Sequence, residues 1–532
     1  MSILDRKMGV CFAWINMSSY DEIPYTSNPF FSSTPAHCYT LARLFRLTPR
    51  HFATAKVLEL GCASGGNIIP LAYRFPQASF VGIDLSNVQV QAGQQQVDAL
   101  NLDNISLRHQ SILELDRSEG LFDYIICHGV FSWVDARVQD KILALCDELL
   151  SETGVAYVSY NTFPGWNFVR VIRDMMRFHV RGLTDPKNKA AQARSILEFV
   201  LVGLRDDDEP YANFLRSEAR NLAQQEDYYL LHEQLEDENN PVYFTEFMDL
   251  VYRHNLQYLG DANLSTMFVG NLPPETGKHL AELTDIVQTE QYMDFIHNRR
   301  FRSSVLCRKG QQIQRDLNAS DLSTFYLSTR LKAPADFGVE RLSDASMQRF
   351  SIEHTHLDVD HPVSKHAIYQ LIEQHGKPIH FDDLSKRLGE HLDLPTDQVS
   401  EHLLHDLHLL RLVLGGVVDV HAEGSDEPAT VSAYPRASAV ARLQAASQAH
   451  VTTLRHQSVP LSDAERILLR YLDGAHTQAD LVGLVIGHID GGDLQIHSQN
   501  PENGPNLDIN REIERLIPEL LDRFRHIGLL EA

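Results

Sequence analysis

Val57-Leu58-Glu59-Leu60-Gly61-Cys62-Ala63-Ser64-Gly65-Gly66-Asn67 is the stretch whose reading decides the fold. An apolar strand runs into a glycine-rich turn, and an apolar helix follows with Ile68, Ile69, Leu71 and Ala72. In an α/β sheet that order binds a nucleoside-bearing ligand, because glycine lets the backbone approach closely. The phosphate-binding versions read G-x-G-x-x-G or end in Gly-Lys-Ser/Thr. Here Glu59 precedes the turn and no lysine follows it. A carboxylate there repels a pyrophosphate and suits a cationic amino-acid ligand.

Outward from this turn, strand and helix alternate from Lys56 to about Val180. Strands are expected at 57–60, 79–83, 105–109, 124–127 and 155–160, with helices near 67–73, 87–100, 135–150 and 167–179. This alternation predicts a parallel sheet covered by helices on both faces. Asp84 ends the second strand about 20 residues past the turn, where an acidic residue accepts from ribose hydroxyls. It also suits the N-cap of the next helix, with Ser86 as a rival cap.

Beyond residue 185 the pattern turns almost wholly helical, with one apolar strand at Ser304–Cys307 after Arg299-Arg300-Phe301-Arg302. The remainder divides into two units of three short helices each. In the first, Gly415-Gly416 reads as a hairpin turn. In the second, a Gly/Asn/Asp/Pro-rich insert at 491–506 reads as a mobile loop. Expected boundaries are 1–50 for an N-terminal leader or cap, 51–184 for the α/β domain, 185–312 for a helical domain, and 313–430 and 431–532 for two winged-helix-like units.

The chain has 532 residues and a formal net charge of -24. Such a balance disfavours nucleic acid and anionic membrane, and favours basic partners. The third helices of the two winged units set Asp397, Glu401 and Asp406 against Arg411, and Glu512, Glu514, Glu519 and Asp522 against four arginines. Neither offers a basic stripe. Six scattered cysteines without C-x-x-C suit a reducing cytoplasm. No run of about 18 apolar residues marks a transmembrane helix. The short apolar run at 9–15 is a weak signal peptide, and Met17 is an alternative start. His402, His405 and His408 lie three apart on one expected helix, and His354, His356 and His361 sit near Asp358 and Asp360. Neither set forms H-E-x-x-H or a Cys/His pairing, so no metal is expected.

Three stretches, Val57–Asn67, Phe80–Ser86 and Phe122–Val130, resemble class I methyltransferases that use S-adenosylmethionine. Tyr20–Tyr25, Ser159–Trp166 and the run from Pro241 to Leu259 further resemble a bacterial family. That family joins a class I methyltransferase to a helical methyltransferase regulatory domain and a winged-helix C-terminal region, and includes the rickettsial protein-lysine methyltransferases. The implied fold class is α/β, a Rossmann-like domain followed by a helical domain and two winged-helix-like units.

The resemblance implies S-adenosyl-L-methionine as cofactor. Gly61, Ala63, Ser64 and Gly65 would form the turn under its methionine part, with Glu59 near the sulfonium amino acid. Asp84 would hold the ribose, and Leu85 would lie against adenine. Ser111 stands where such proteins offer an acid to the adenine amine, leaving a hydroxyl contact or a backbone contact through Ile112. Ala63 replaces the commoner glycine and calls for a φ that alanine adopts. Tyr20 and Tyr25 would cap the ligand. His128, after the fourth strand, would serve as a base or shape its loop through a backbone carbonyl. Trp133 and Trp166 offer aromatic faces to a cation, or core packing. Tyr160 and Asn161 end the fifth strand as candidate acceptor-site residues, Asn161 also suiting a helix cap.

Methyl transfer from a sulfonium is an in-line displacement, so positioning dominates. The function expected is cytoplasmic methylation of lysine side chains in a protein substrate. The alternatives are a small-molecule acceptor, or a non-catalytic adaptor that senses the cofactor. The sequence is compatible with a homodimer.

Overall fold

The computed structural model describes residues 26–204, 209–352, 355–494 and 509–532. Tyr20 and Tyr25, His354 and most of the 491–506 insert lie outside them. The centre is a seven-stranded sheet in the order β3-β2-β1-β4-β5-β7-β6. Its strands are β1 (Lys56–Leu60), β2 (Ser79–Asp84), β3 (Ile105–His109), β4 (Phe122–Cys127), β5 (Leu150–Asn161), β6 (Leu256–Asp261) and β7 (Phe301–Arg308). The first five are parallel, and β7 runs antiparallel to both β5 and β6.

The five parallel strands fall where the alternation puts them. β1, β2, β4 and β5 are apolar on both faces, as a sheet covered by helices requires, whereas the edge strand β3 buries only Leu107. Val57, Leu58 and Leu60 of β1 are fully buried. The helices Ile68–Arg74, Asn87–Ala99 and Ala136–Leu149 join β1 to β2, β2 to β3 and β4 to β5, and Trp166–His179 follows β5. Ser86 proves to be the cap of Asn87–Ala99, its hydroxyl accepting from Gln89 N at 3.2 Å.

The sheet does not stop at residue 184. β6 and β7 come from the segment expected to be helical, with helices Phe244–Arg253 before β6 and Ile286–His297 before β7. β7 matches the expected apolar strand, whereas β6 is masked by the polar residues Gln257 and Asp261. The arginine run before β7 is not a solvated patch. Arg302 is fully buried, with Nε 2.7 Å from Asp294 Oδ2, Nη1 2.8 Å from Glu290 Oε2 and its guanidinium carbon 3.8 Å from the Phe244 ring. Tyr258 of β6 donates to the same Glu290 oxygen at 2.8 Å. The network ties β6 and β7 to the Ile286–His297 helix and fixes the sheet edge.

Two readings in the first C-terminal unit are corrected. Gly415-Gly416 is not a hairpin turn: it closes the helix Leu409–Leu414, with Gly416 at φ +70°. In this unit β8 (Tyr326–Thr329) comes first, then a separate antiparallel pair, β9 (Gln348–Ile352) with β10 (Thr355–Val359). β8 pairs antiparallel with β11 (Ile379–His380) and with β12 (Val418–His421), the strand after the two glycines. His402, His405 and His408 do not share one regular helix. A π turn spans His402–Asp406, and His408 sits at φ +53°. His402 directs one ring nitrogen to Ser364 Oγ and the other to Asp406, each at 2.8 Å.

In the last unit the helices Asp463–Arg470, Gln478–Asp490 and Ile509–His526 follow the expected order. They are preceded by helix Ala439–Ala445 and by a two-stranded hairpin, β13 (His450–Thr452) with β14 (Ser458–Pro460). No helix among the described residues is long and apolar enough to cross a membrane.

Candidate functional site

β1 delivers Glu59 to the carboxyl edge of the sheet, and its side chain is 3% exposed. One carboxylate oxygen accepts from Asn67 Nδ2 at 2.7 Å. The other, Oε2, is buried without a hydrogen-bond partner. Burial pushes this carboxyl up to about 8, partly opposed by the Asn67 bond. A buried, half-satisfied carboxyl is costly unless a donor completes it.

The turn after β1 is left-handed at Gly61 (φ +75°) and Gly65 (φ +78°). A Cβ at Gly61 would lie 2.4 Å from Val130 Cγ2. Ala63 departs from expectation, since it too is left-handed, at φ +47°. That backbone costs a non-glycine residue about 1–2 kcal/mol. Ala63 N donates to Asp84 Oδ2 at 2.8 Å, which offsets the strain. Asp84 Oδ1 accepts from Ser86 N at 2.8 Å. Asp84 therefore joins the end of β2 to the glycine turn, and its carboxylate is held in one orientation.

Ser64 lies in the same turn, half-buried. Leu85, next to Asp84, is 66% exposed, an open apolar face at the strand edge. At the end of neighbouring β3, Ser111 Oγ accepts from Leu113 N at 3.3 Å and caps the single turn Ile112–Glu114. The acid expected at this loop is present three residues later. Glu114 turns back to accept from Ser111 N at 3.2 Å.

His128 follows β4. Its Nδ1 lies 3.0 Å from the Tyr157 hydroxyl, which donates to Ser303 Oγ at 2.9 Å. Phe30 from the N-terminal segment stacks on it, with ring centroids 3.8 Å apart. Burial pulls the imidazole down to about 4, so it is neutral near pH 7. The next residue, Gly129, donates its N–H to Ser159 Oγ at 2.9 Å, and nothing lies within 4 Å of where its Cβ would stand.

Strand alternation separates the candidates on β5. Tyr157 and Ser159 face His128. Tyr160 faces the other way, fully buried, its ring stacked on Phe247 at 4.1 Å and its hydroxyl 3.0 Å from Ser304 Oγ. The expectation that Tyr160 lines an acceptor site is therefore corrected: it is a core residue. Asn161 ends the strand, 4% exposed, with Nδ2 buried and unpartnered, and its backbone N–H donates to Ser132 Oγ at 2.8 Å. Trp133 and Trp166 pack edge to face at 6.2 Å, and the Arg173 guanidinium lies 5.8 Å over the Trp133 ring. The cation face of Trp133 is thus filled from within the fold by Arg173, and Trp166 is buried against it as a packing residue.

Sequence reasoning passed over Phe30, Tyr157, Ser159 and Ser303. The period of two along Val155–Asn161 was the available signal, since it puts Tyr157, Ser159 and Asn161 on one face. Phe30, Phe301 and Ser303 also line a cleft of about 1340 Å³. Asp261 and Arg299 of the sheet edge and residues of both C-terminal units form its other walls.

The residues present fit S-adenosylmethionine. The orphaned Glu59 oxygen suits its ammonium, the left-handed turn leaves room for close approach, and exposed Leu85 offers an apolar wall beside Asp84.

Comparison with known proteins agrees with this geometry. Three family models match: a methyltransferase domain over 57–154, a predicted methyltransferase regulatory domain over 226–308, and the PKMT C-terminal winged helix domain over 433–529. An uncharacterised protein of Rickettsia prowazekii is 38% identical over 517 residues, 96% of this chain and 93% of that protein. The structure of PKMT2 from Rickettsia typhi is 32% identical and covers 96% of this chain and 100% of its own, with a TM-score of 0.86. The same protein in complex with AdoHcy gives 0.88 over 95% of this chain. The chain belongs to the family of class I, S-adenosylmethionine-dependent methyltransferases that carry a methyltransferase regulatory domain and a PKMT C-terminal winged helix domain.

Proposed function

We propose that this chain methylates lysine side chains of a protein substrate, with Glu59, the turn Gly61–Gly65, Asp84, Leu85, Ser111 and Ile112 holding the cofactor. The observation that carries the reading is the match to Rickettsia typhi PKMT2 over nearly the whole length of both chains. It extends through the regulatory and winged-helix regions, beyond the part that methyltransferases of every substrate class share.

When bound, S-adenosylmethionine supplies an electrophilic methyl on a sulfonium. The protein's part is to orient and to exclude water. Glu59 Oε2 would accept from the ammonium, and Asp84, already fixed by Ala63 and Ser86, would accept from the ribose hydroxyls. His128, Tyr157, Ser159 and Asn161 would shape the acceptor mouth.

The net charge of -24 favours a basic polypeptide. The test is incubation of the purified chain with methyl-labelled cofactor and a cell lysate, followed by mass spectrometry for methyl-lysine. Label confined to small molecules would remove the protein-lysine reading. No transfer at all, with cofactor bound, would favour the adaptor.

A further inference from the structure

Asn67 closes the glycine turn, and its amide is where three distant parts of the chain meet. Its Oδ1 accepts from Phe30 N at 2.9 Å and lies 2.8 Å from His456 Nε2. Its Nδ2 donates to Glu59 Oε1 at 2.7 Å. A flipped amide would turn its NH2 against the Phe30 N–H, so the orientation is determined and His456 Nε2 carries the proton.

His456 belongs to the C-terminal winged helix unit, 389 residues from Asn67. It sits at the tip of the β13–β14 hairpin, at φ +58°, where a residue with a side chain is uncommon. The tip is held on every side. His456 N donates to Thr453 O at 2.9 Å, Leu454 N donates to Gly528 O at 2.8 Å, and Arg455 pairs with buried Glu427. The imidazole is 5% exposed. A strained backbone and a buried polar ring are both costly, and here they deliver one N–H to Asn67.

The helix Ile68–Arg74 carries two further contacts to the same unit. Tyr73 OH donates to Glu531 Oε1 at 2.8 Å, and Arg74 Nη1 donates to Leu454 O at 2.6 Å. Those two dock the unit at the far end of the helix. His456 alone among the three reaches the residue that holds Glu59.

We propose that His456 is a positioning residue of the donor site: it fixes the Asn67 amide, and through it the Glu59 carboxyl, so that cofactor affinity depends on the docked C-terminal unit. This rests on the reading that Glu59 accepts from the cofactor ammonium. A cofactor-loaded site thereby favours the docked unit, and undocking weakens cofactor binding by the same factor.

The test is calorimetric titration of the full chain with S-adenosylhomocysteine. His456→Ala is expected to bind about tenfold more weakly, the loss of one buried hydrogen bond. His456→Gln, which keeps an N–H donor, should recover to within about threefold. In a Glu59→Gln background, His456→Ala should cost nothing further. Equal weakening by His456→Ala and His456→Gln would reduce His456 to a structural contact and overturn the proposal. Parent affinity in His456→Ala, with Glu59→Gln weakened, would overturn the coupling and leave the Glu59 reading standing. Parent affinity in Glu59→Gln would remove the Glu59 reading and the proposal with it.

Discussion

Replacing Glu59 by glutamine should stabilise the fold and weaken the cofactor, and both effects should depend on pH. The carboxyl has an ordinary value of 4.5 and is pushed up to about 8 by burial in the folded chain. The folded state therefore holds a proton that the unfolded state releases. Stability from such a group is fully present below pH ~4.5 and is lost as pH rises toward 8. Each unit is worth about 1.4 kcal/mol. At pH 7 the carboxyl thus costs folding about 3 kcal/mol relative to a neutral isostere, and above pH 8 the cost levels at about 5 kcal/mol. Glutamine keeps an acceptor for Asn67 and carries no such cost. Urea unfolding followed by Trp133 and Trp166 fluorescence, from pH 5 to 9, should show two curves that diverge with rising pH. Parallel curves would refute the assignment of a buried, protonated Glu59. The same carboxyl gives binding its sign. A bound ammonium favours the ionised form, so binding near pH 7 releases a proton and affinity rises toward pH 8. Calorimetry in buffers of different ionisation enthalpy measures that proton, and the Glu59→Gln variant should release none.

Four other outcomes follow from particular contacts. Asp84→Ala removes the acceptor for Ala63 N and Ser86 N, so cofactor binding should fall at least tenfold by calorimetry, about 1.4 kcal/mol or more. Gly66→Ala would set a Cβ 2.2 Å from Ser27 O; the segment carrying Phe30 should be displaced and become sensitive to limited proteolysis. Tyr157→Phe cuts the link from His128 to Ser303, and kcat should fall about tenfold while cofactor affinity holds, as one lost positioning hydrogen bond would do. Arg302→Met would strand Glu290 as a buried carboxylate and leave Asp294 to Arg299 alone, destabilising the fold by about 3–5 kcal/mol, read as a lowered thermal midpoint.

The sequence was most legible where one physical rule acted alone. β1, β2, β4 and β5 are buried on both faces, so their apolar runs stand out, and a glycine turn between strand and helix has few other uses. β6 was not legible, because Gln257 and Asp261 interrupt its pattern and its partner β7 lies far along the chain, beyond the helices Pro274–Ala281 and Ile286–His297. Tyr160 was misread because a strand end was treated as a point, although its two faces differ completely: Ser159 meets Gly129, while Tyr160 meets Phe247. Gly415-Gly416 was misread because a glycine pair ends a helix as readily as it turns a hairpin. The Asn67–His456 contact spans 389 residues, and no local pattern carries a pairing of that range.

For the lysine acceptor proposed above, the fate of its proton is the remaining chemical question, and magnitudes decide part of it. A lysine ammonium has an ordinary pKa near 10.4. His128 is pulled down to about 4 by burial. Passing the proton between them crosses about six units, an uphill step of roughly 8–9 kcal/mol before any methyl moves. Toward a fully solvated ammonium such a histidine is a poor base. Its neutral state fits a different task. With the Tyr157 hydroxyl donating to Ser303, Nδ1–H donates to Tyr157, and the ring is pinned between that hydroxyl and Phe30. The deprotonation is then left to desolvation of the amine as it enters beside Phe30 and Phe301, which favours the neutral form. On this account the rate rises with pH as the substrate amine loses its proton, and His128 contributes shape and water exclusion to the acceptor mouth.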